Sequence, residues 1–431
     1  GTTSIEMFSK RNTKKSLKFI WGKHEGREVL WDFHTQALNN NAVLYALQYP
    51  LIARADWSQY QKARAYYGQS EIVTVQQQTQ FSFDTGNSQY SGSLNNPAMN
   101  AVYRVWNWST PGLNQIDYPL DDLYRFLTTG NPGWYLLGEQ HTQLNDNASV
   151  FHSDDYTTSG SGYAYDYAYK NPGISGSFFD GEHAHFMSLP FYYFLTGDEH
   201  VKEGVLDHGE YLDRIQINGG NASIPTSPWF RWWSRTYRNL ALVYEFTCYT
   251  GVCNDRYKNY LEQATNWLLD LRDNPSQGVN SPRGRNLDRG YVYMDTTITS
   301  LNGYRGVHSF MHTYIHFEAM WQALRIMKDV GWSYNRREDL EDYLLGLSQF
   351  FFKEYVDDRG GGWFGIAYEY PLDKSYDPNS MIYYSDYGMP RAAVWGYQRT
   401  GDISFLMVAN KQGTWNPSEL QEQALMYAKF N

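Results

Sequence analysis

Three clusters of residues in this chain combine groups that move protons with groups that grip an acidic or sugar-like molecule. The densest contains Tyr163, Tyr165, Asp166, Tyr167, Tyr169 and Lys170, then Phe178-Phe-Asp-Gly-Glu-His-Ala-His185. Histidine titrates near neutrality, so His183 and His185 can act as base, acid or metal ligand. Standing two apart they do not share a helical face, which makes them a weak metal pair. With Glu182 they fall where a buried helix is predicted to begin. They read either as groups that touch substrate or as helix-capping and packing groups.

The second cluster is Pro228-Trp-Phe-Arg-Trp-Trp-Ser-Arg-Thr-Tyr-Arg238. The spacing of Arg231, Arg235 and Arg238 puts them on one helical stripe, with Trp232 and Trp233 beside it. Arginine holds carboxylates in a bidentate fork, and sugar rings stack on aromatic faces. Cation–π packing inside the fold is the competing role. The third cluster is Tyr304-Arg-Gly-Val-His308, followed by His312 and His316. Read as one helix, the three histidines share a face. The spacing of the last two allows a metal, but the glutamate of the zinc-protease motif is missing. His308 and His312 are expected near the mouth of a site, and His316 in the core. The chain has no nucleophile elbow, phosphate loop or dinucleotide fingerprint.

Composition narrows the chemistry. The chain has 431 residues, of which 17% are aromatic and only 19% charged. That balance excludes a disordered chain, whose composition is the inverse. A net charge of −10 with no long basic block argues against nucleic acid as a partner. The one basic cluster, Lys10-Arg11 with Lys14-Lys15, reads as a solvated turn. No apolar run is long enough to span a membrane. The first residue is Gly, so the chain is expected to be processed or trimmed. Cys248 and Cys253 form a close pair suited to a small disulfide. Sequons at Asn107, Asn147 and Asn221 point with that pair toward a secreted glycoprotein.

The elements that must position these clusters are marked by a recurring phrase. An apolar helix end is followed by Thr-Gly-Asp or a variant: Thr129-Gly-Asn131, Thr196-Gly-Asp198, Thr250-Gly-Val-Cys-Asn254, Thr400-Gly-Asp402, and a degenerate copy at Val330-Gly331. Glycine in the left-handed conformation ends a helix, and Asp or Asn caps the next by accepting a backbone N–H. Runs at 185–195, 240–246 and 310–324 are apolar nearly all round, as buried helices are. Their successors at 201–212, 255–271 and 337–355 are amphipathic. Buried helix, glycine turn, solvated helix and long return loop together predict a mainly α chain built as an incomplete (α/α)n toroid. The loops at 154–179, 274–306 and 360–386 are expected to gather at one rim. Residues 1–90 alternate like strands at 16–21, 27–34 and 74–83. They are read as the tail of a β-rich domain and its junction, whose earlier part is expected to be absent from this chain or to pair with it. The toroid is assigned to residues 91–431.

Phe179-Asp-Gly-Glu-His-Ala-His185 followed by Phe194-Leu-Thr-Gly-Asp198 resembles the toroid of rhamnogalacturonan exolyase-type polysaccharide lyases. Arg27-Glu-Val-Leu-Trp-Asp-Phe-His34, Tyr49-Pro-Leu51 and Ala55-Asp-Trp57 look like the β-to-toroid junction of those proteins. The resemblance runs from about residue 27 to the end. It implies β-elimination on a uronic acid in an acidic poly- or oligosaccharide. A cation must neutralise the carboxylate, a base must take the C5 proton, and an acid must protonate the leaving oxygen. The expected roles are Arg231 or Arg235 as neutraliser, His183 or His185 as base, and Tyr237 or Tyr304 as acid. Tyr165, Tyr167, Glu182, Trp232, Trp233, His308 and His312 would line the sugar subsites. No resident cofactor is expected, with a divalent cation such as calcium left open. Two alternatives use the same scaffold. One is an inverting hydrolase pairing Glu182 with Asp166 or Asp180 at roughly 6.5–9.5 Å. The other is a module that binds glycan without turnover.

Overall fold

The computed structural model describes residues 118–129, 134–135, 138–139, 142–143, 145–146, 186–213, 230–273, 285–286, 291–292, 306–308, 315–354, 356–358, 364–366, 369–371 and 389–411. The β-rich reading of residues 1–90, the 154–179 loop and the Thr129-Gly-Asn131 turn lie outside these residues, whereas 274–306 and 360–386 are described only at their short strands.

The described chain is mainly α-helical. Helix α1 spans Tyr118–Thr129 and buries Leu120, Leu123, Phe126 and Leu127, one apolar stripe at helical spacing. Helix α2, Ser188–Thr196, carries Pro190 in its first turn, where no backbone N–H is needed. Helix α3, Glu199–Leu212, buries Val201, Val205, His208 and Leu212. Helix α4, Phe230–Thr250, is the longest described. All of its residues from 233 to 246 are buried. Helix α5, Asp255–Asp273, buries Tyr257, Leu261, Ala264 and Leu268 on one side. Helix α6, Phe317–Asp329, is apolar or buried nearly all round, and α7, Arg337–Gln349, buries Leu340, Tyr343, Leu344 and Leu347. A π-helical turn, Phe350–Glu354, extends α7. Helices α8, Met389–Thr400, and α9, Ser404–Lys411, close the described chain. The predicted alternation of enclosed and one-sided helices is present in α4/α5 and α6/α7, whereas α2 is buried only from Ser188 to Tyr192 and exposes Phe194.

The return segments carry short antiparallel ladders. Strand β1 (Arg285–Asn286) pairs with β2 (Tyr291–Val292), β3 (Gly306–His308) with β6 (Glu369–Pro371), and β4 (Val356–Asp358) with β5 (Phe364–Ile366). The β3–β6 ladder corrects the reading of residues 308–316 as one helix. His308 is a strand residue opposite Glu369, and the α-helix begins only at Phe317. A strand partner more than sixty residues away outweighs the local periodicity.

Consecutive helices pack as the hairpins α2/α3, α4/α5, α6/α7 and α8/α9, and neighbouring hairpins touch through α2 and α4, α4 and α6, and α7 and α8. Side-chain contacts fix direction. Ahead of α2, Phe186 stacks on His208 at 4.4 Å, and His208 in turn meets Asn239 of α4. Ser234 of α4 meets His316, just ahead of α6. At the other end Phe194 packs on Phe246 and Tyr249, and Glu245 pairs with Arg325. Helices α2, α4 and α6 therefore run parallel, with their starts at one end and their glycine turns at the other.

The Thr-Gly-Asp turns follow the expected chemistry at two sites. Gly197 and Gly401 adopt φ of 74° and 72°. Their N–H groups donate to Tyr193 and Tyr397 carbonyls at 2.7 and 2.6 Å. Asp198 and Asp402 then cap the next helix, accepting from His200 and Ser404 N–H at 3.0 and 2.9 Å. Lys353 and Ser404 hold the Asp402 carboxyl down to about 2. Gly331 is also left-handed, at φ 68°, but Arg336 before α7 gives no side-chain cap. Gly251 departs from the expectation, because it is not among the left-handed glycines. A left-handed alanine costs about 1 kcal/mol, whereas Gly→Ala in ordinary backbone stabilises by about 0.4–1 kcal/mol. Gly197→Ala and Gly401→Ala are thus expected to lower stability in urea denaturation. Gly251→Ala, whose added Cβ meets nothing within 4 Å, is expected to leave stability unchanged or raise it.

Candidate functional site

Helices α2, α4 and α6 begin at one end, and parts of all three sequence clusters precede or open these helices in the chain. Residues 181–185 lead into α2, 224–229 into α4, and 309–314 into α6. His183, His185, Glu182, Tyr165, Tyr167, Tyr304 and His312 themselves lie outside the described residues. Arg231 and Trp232 occupy the first turn of α4. His308 lies in β3.

The second cluster divides by depth. Trp233, Arg235, Tyr237 and Arg238 are all buried. Trp233 stacks on Tyr237 at 5.3 Å and reaches Trp267 of α5 at 6.4 Å. The Tyr237 hydroxyl lies 2.7 Å from Thr265 Oγ1. Thr265 spends its own proton on the Leu261 carbonyl at 2.7 Å, so the tyrosine is the donor. Burial pushes the Tyr237 phenol well above its usual range. This geometry gives Trp233 and Tyr237 a packing role between α4 and α5. Positions 235 and 237 are about 200° apart around a helix, so Arg235 and Tyr237 point to different sides of α4.

Behind that end lies a polar layer between helices. His316 is fully enclosed, as expected from its depth in the sequence pattern. Its Nδ1 meets Ser234 Oγ at 3.0 Å and its Nε2 meets the Tyr343 hydroxyl at 2.7 Å. One imidazole so ties α4, α6 and α7 together. On the opposite flank Asn239 Nδ2 donates to His208 Nε2 at 3.4 Å, and its Oδ1 accepts from Arg238 Nη2 at 3.2 Å. Among the described residues no group of three His, Cys, Asp or Glu is placed to hold a metal ion.

Near the glycine-turn end, Arg325 donates in a fork to Glu245, at 2.5 Å to Oε1 and 2.7 Å to Oε2. Arg325 also reaches Asp329 at 3.0 Å and Gln322 at 2.8 Å. Sequence reasoning missed this pair. The signal was present: Glu245 and Arg325 each interrupt a nearly unbroken apolar run, and charges in such runs are buried only when paired.

Comparison of the chain with protein-family models, with curated proteins and with solved structures finds no match. The functional reading therefore rests on the residues and their placement.

Removing one member of a buried ion pair strands the other, at about 3–5 kcal/mol. Arg325→Ala, which strands the buried Glu245, is expected to lower the unfolding free energy by about that amount in chemical denaturation. Arg337→Ala, which breaks the exposed contact with Glu341, is expected to cost under about 1 kcal/mol.

Proposed function

We propose that this chain is a polysaccharide lyase that cleaves a pectic, rhamnogalacturonan-like glycan by β-elimination at one end of an incomplete (α/α)n toroid. The observation that carries the reading is the parallel alignment of α2, α4 and α6. On this reading His183 and His185, which precede α2 in the chain, work at the end where α4 presents its first turn with Arg231 and Trp232. The side-by-side hairpins support the toroid, continued by a β-rich segment at residues 1–90. The Cys248–Cys253 disulfide supports an oxidising, extracellular setting.

The placement of α4 refines the roles. Arg231, in the first turn, neutralises the uronate carboxylate in preference to the enclosed Arg235. His183 or His185 removes the C5 proton. Electrons of that C–H bond form the C4–C5 double bond as the C4–O bond breaks. Tyr304 delivers the proton to the leaving oxygen in preference to Tyr237, whose proton is committed to Thr265. Trp232, Tyr165, Tyr167, Glu182, His308 and His312 bind the sugar units.

Incubation with rhamnogalacturonan and with polygalacturonate, followed by ultraviolet absorbance of the unsaturated uronate, tests this reading. His183→Ala or His185→Ala is expected to slow product formation on the order of a hundredfold or more, and full activity in both variants would overturn the base assignment. Tyr237→Phe is expected to change turnover less than about twofold while costing about 1 kcal/mol of stability. A chelator arm separates neutralisation by Arg231 from neutralisation by a divalent cation such as calcium. New reducing ends without a double bond would instead mark a hydrolase centred on Glu182, and binding without turnover a glycan-binding module.

A further inference from the structure

The turn between α4 and α5 keeps the outline of the Thr-Gly-Asp phrase but loses its lock. At the two regular turns the threonine hydroxyl donates back to the preceding helix, from Thr196 to Tyr192 at 2.8 Å and from Thr400 to Gly396 at 2.6 Å. The same hydroxyl accepts the N–H of the capping Asp198 or Asp402 at 3.2 Å. A left-handed glycine makes that return possible. At Thr250 the first half survives, with its hydroxyl donating to Phe246 at 2.8 Å. Val252 and Cys253 then stand between Gly251 and the cap Asn254. The Asn254 N–H reaches instead to Thr247 Oγ1 at 3.3 Å. Across these added residues runs the Cys248–Cys253 disulfide.

We propose that this disulfide replaces the left-handed glycine lock and makes the α4/α5 hairpin the redox-sensitive joint of the fold. Its surroundings suit the role. Cys248 and Cys253 are half-buried against the core, but Tyr249 is 55% exposed and Val252 87% exposed beside them, so a small dithiol reaches the sulfurs from the turn. Its thiolate attacks one sulfur to form a mixed disulfide. The second thiolate then displaces the protein sulfur, leaving Cys248 and Cys253 as thiols and the reagent as a cyclic disulfide, a two-electron exchange. Helix α4 packs on α2, α3, α5 and α6, so release of its C-terminal turn loosens a helix shared by three hairpins without touching the other two Thr-Gly-Asp turns.

Hydrogen exchange on the full chain, with and without dithiothreitol, reads this directly. Reduction is expected to speed amide exchange at residues 248–256 at least tenfold and leave 194–200 and 398–404 unchanged. The melting midpoint should fall on the order of 5 °C. The paired variant Cys248→Ser with Cys253→Ser should match the reduced protein and ignore the reagent. A second variant carries Cys248→Ser and Asn254→Asp and lacks Val252 and Cys253, which restores Thr-Gly-Asp. It is expected to regain the slow exchange of the oxidised chain without any disulfide. Unchanged exchange at 248–256 after complete reduction overturns the proposal. So does equal loosening at all three turns, or alkylation of both cysteines in the protein before any reductant is added.

Discussion

Helix α4 is enclosed over most of its length, and the fold depends on what that enclosure demands. Between Trp233 and Phe246 it buries Ser234, Arg235, Thr236, Arg238, Asn239 and Glu245. A buried polar group without a partner costs more than a hydrogen bond contributes. The neighbours of α4 therefore supply matching groups: His316, itself tied to Tyr343 of α7, for Ser234, His208 for Asn239, Thr265 for Tyr237, and Arg325 for Glu245. Apolar packing alone would let helices slide or rotate past one another. These pairs fix both the depth and the rotation of α4 against four neighbours.

That fixation separates the two ends of the helix layer. One end is closed by short turns, those after α2, α4 and α8 built from a threonine hydroxyl, a glycine and an acidic or amide cap, and that after α6 from Gly331 without a side-chain cap. The other receives the long segments. Short turns leave no room for a site, whereas long segments bring varied side chains together on a rigid support. The polar layer around His316 lies just behind the end that receives them. It holds the start of α4 and the residues just ahead of α6 in fixed relation.

Much of this was legible along the chain. The alternation of all-round apolar and one-sided helices, the left-handed glycines at 197 and 401, the Asp caps, the Cys248–Cys253 pairing and the deep position of His316 all follow from local periodicity or turn chemistry. What misled was equally local. Histidines at 308, 312 and 316 have helical spacing, yet β3 takes Gly306–His308 into a ladder with β6. Trp233 and Tyr237 lie in a segment rich in binding chemistry, yet the helix turns them toward packing partners. Glu245 and Arg325 were readable as lone charges in apolar runs, although nothing in either run names the other.

The sequence by itself determined that α4 and α6 are enclosed and that the turns at Gly197 and Gly401 end one helix and cap the next, because caps, left-handed glycines and a 3.6-residue period act within a few residues of one another. Only the tertiary structure decided which polar residues of α4 became interior ties and which helix starts share an end. Those outcomes depend on groups some 28 to 80 residues apart, such as Thr265 for Tyr237 and Arg325 for Glu245. Such pairs meet only after hairpins pack side by side, and the energy that selects them is the cost of burying a hydroxyl or a charge alone.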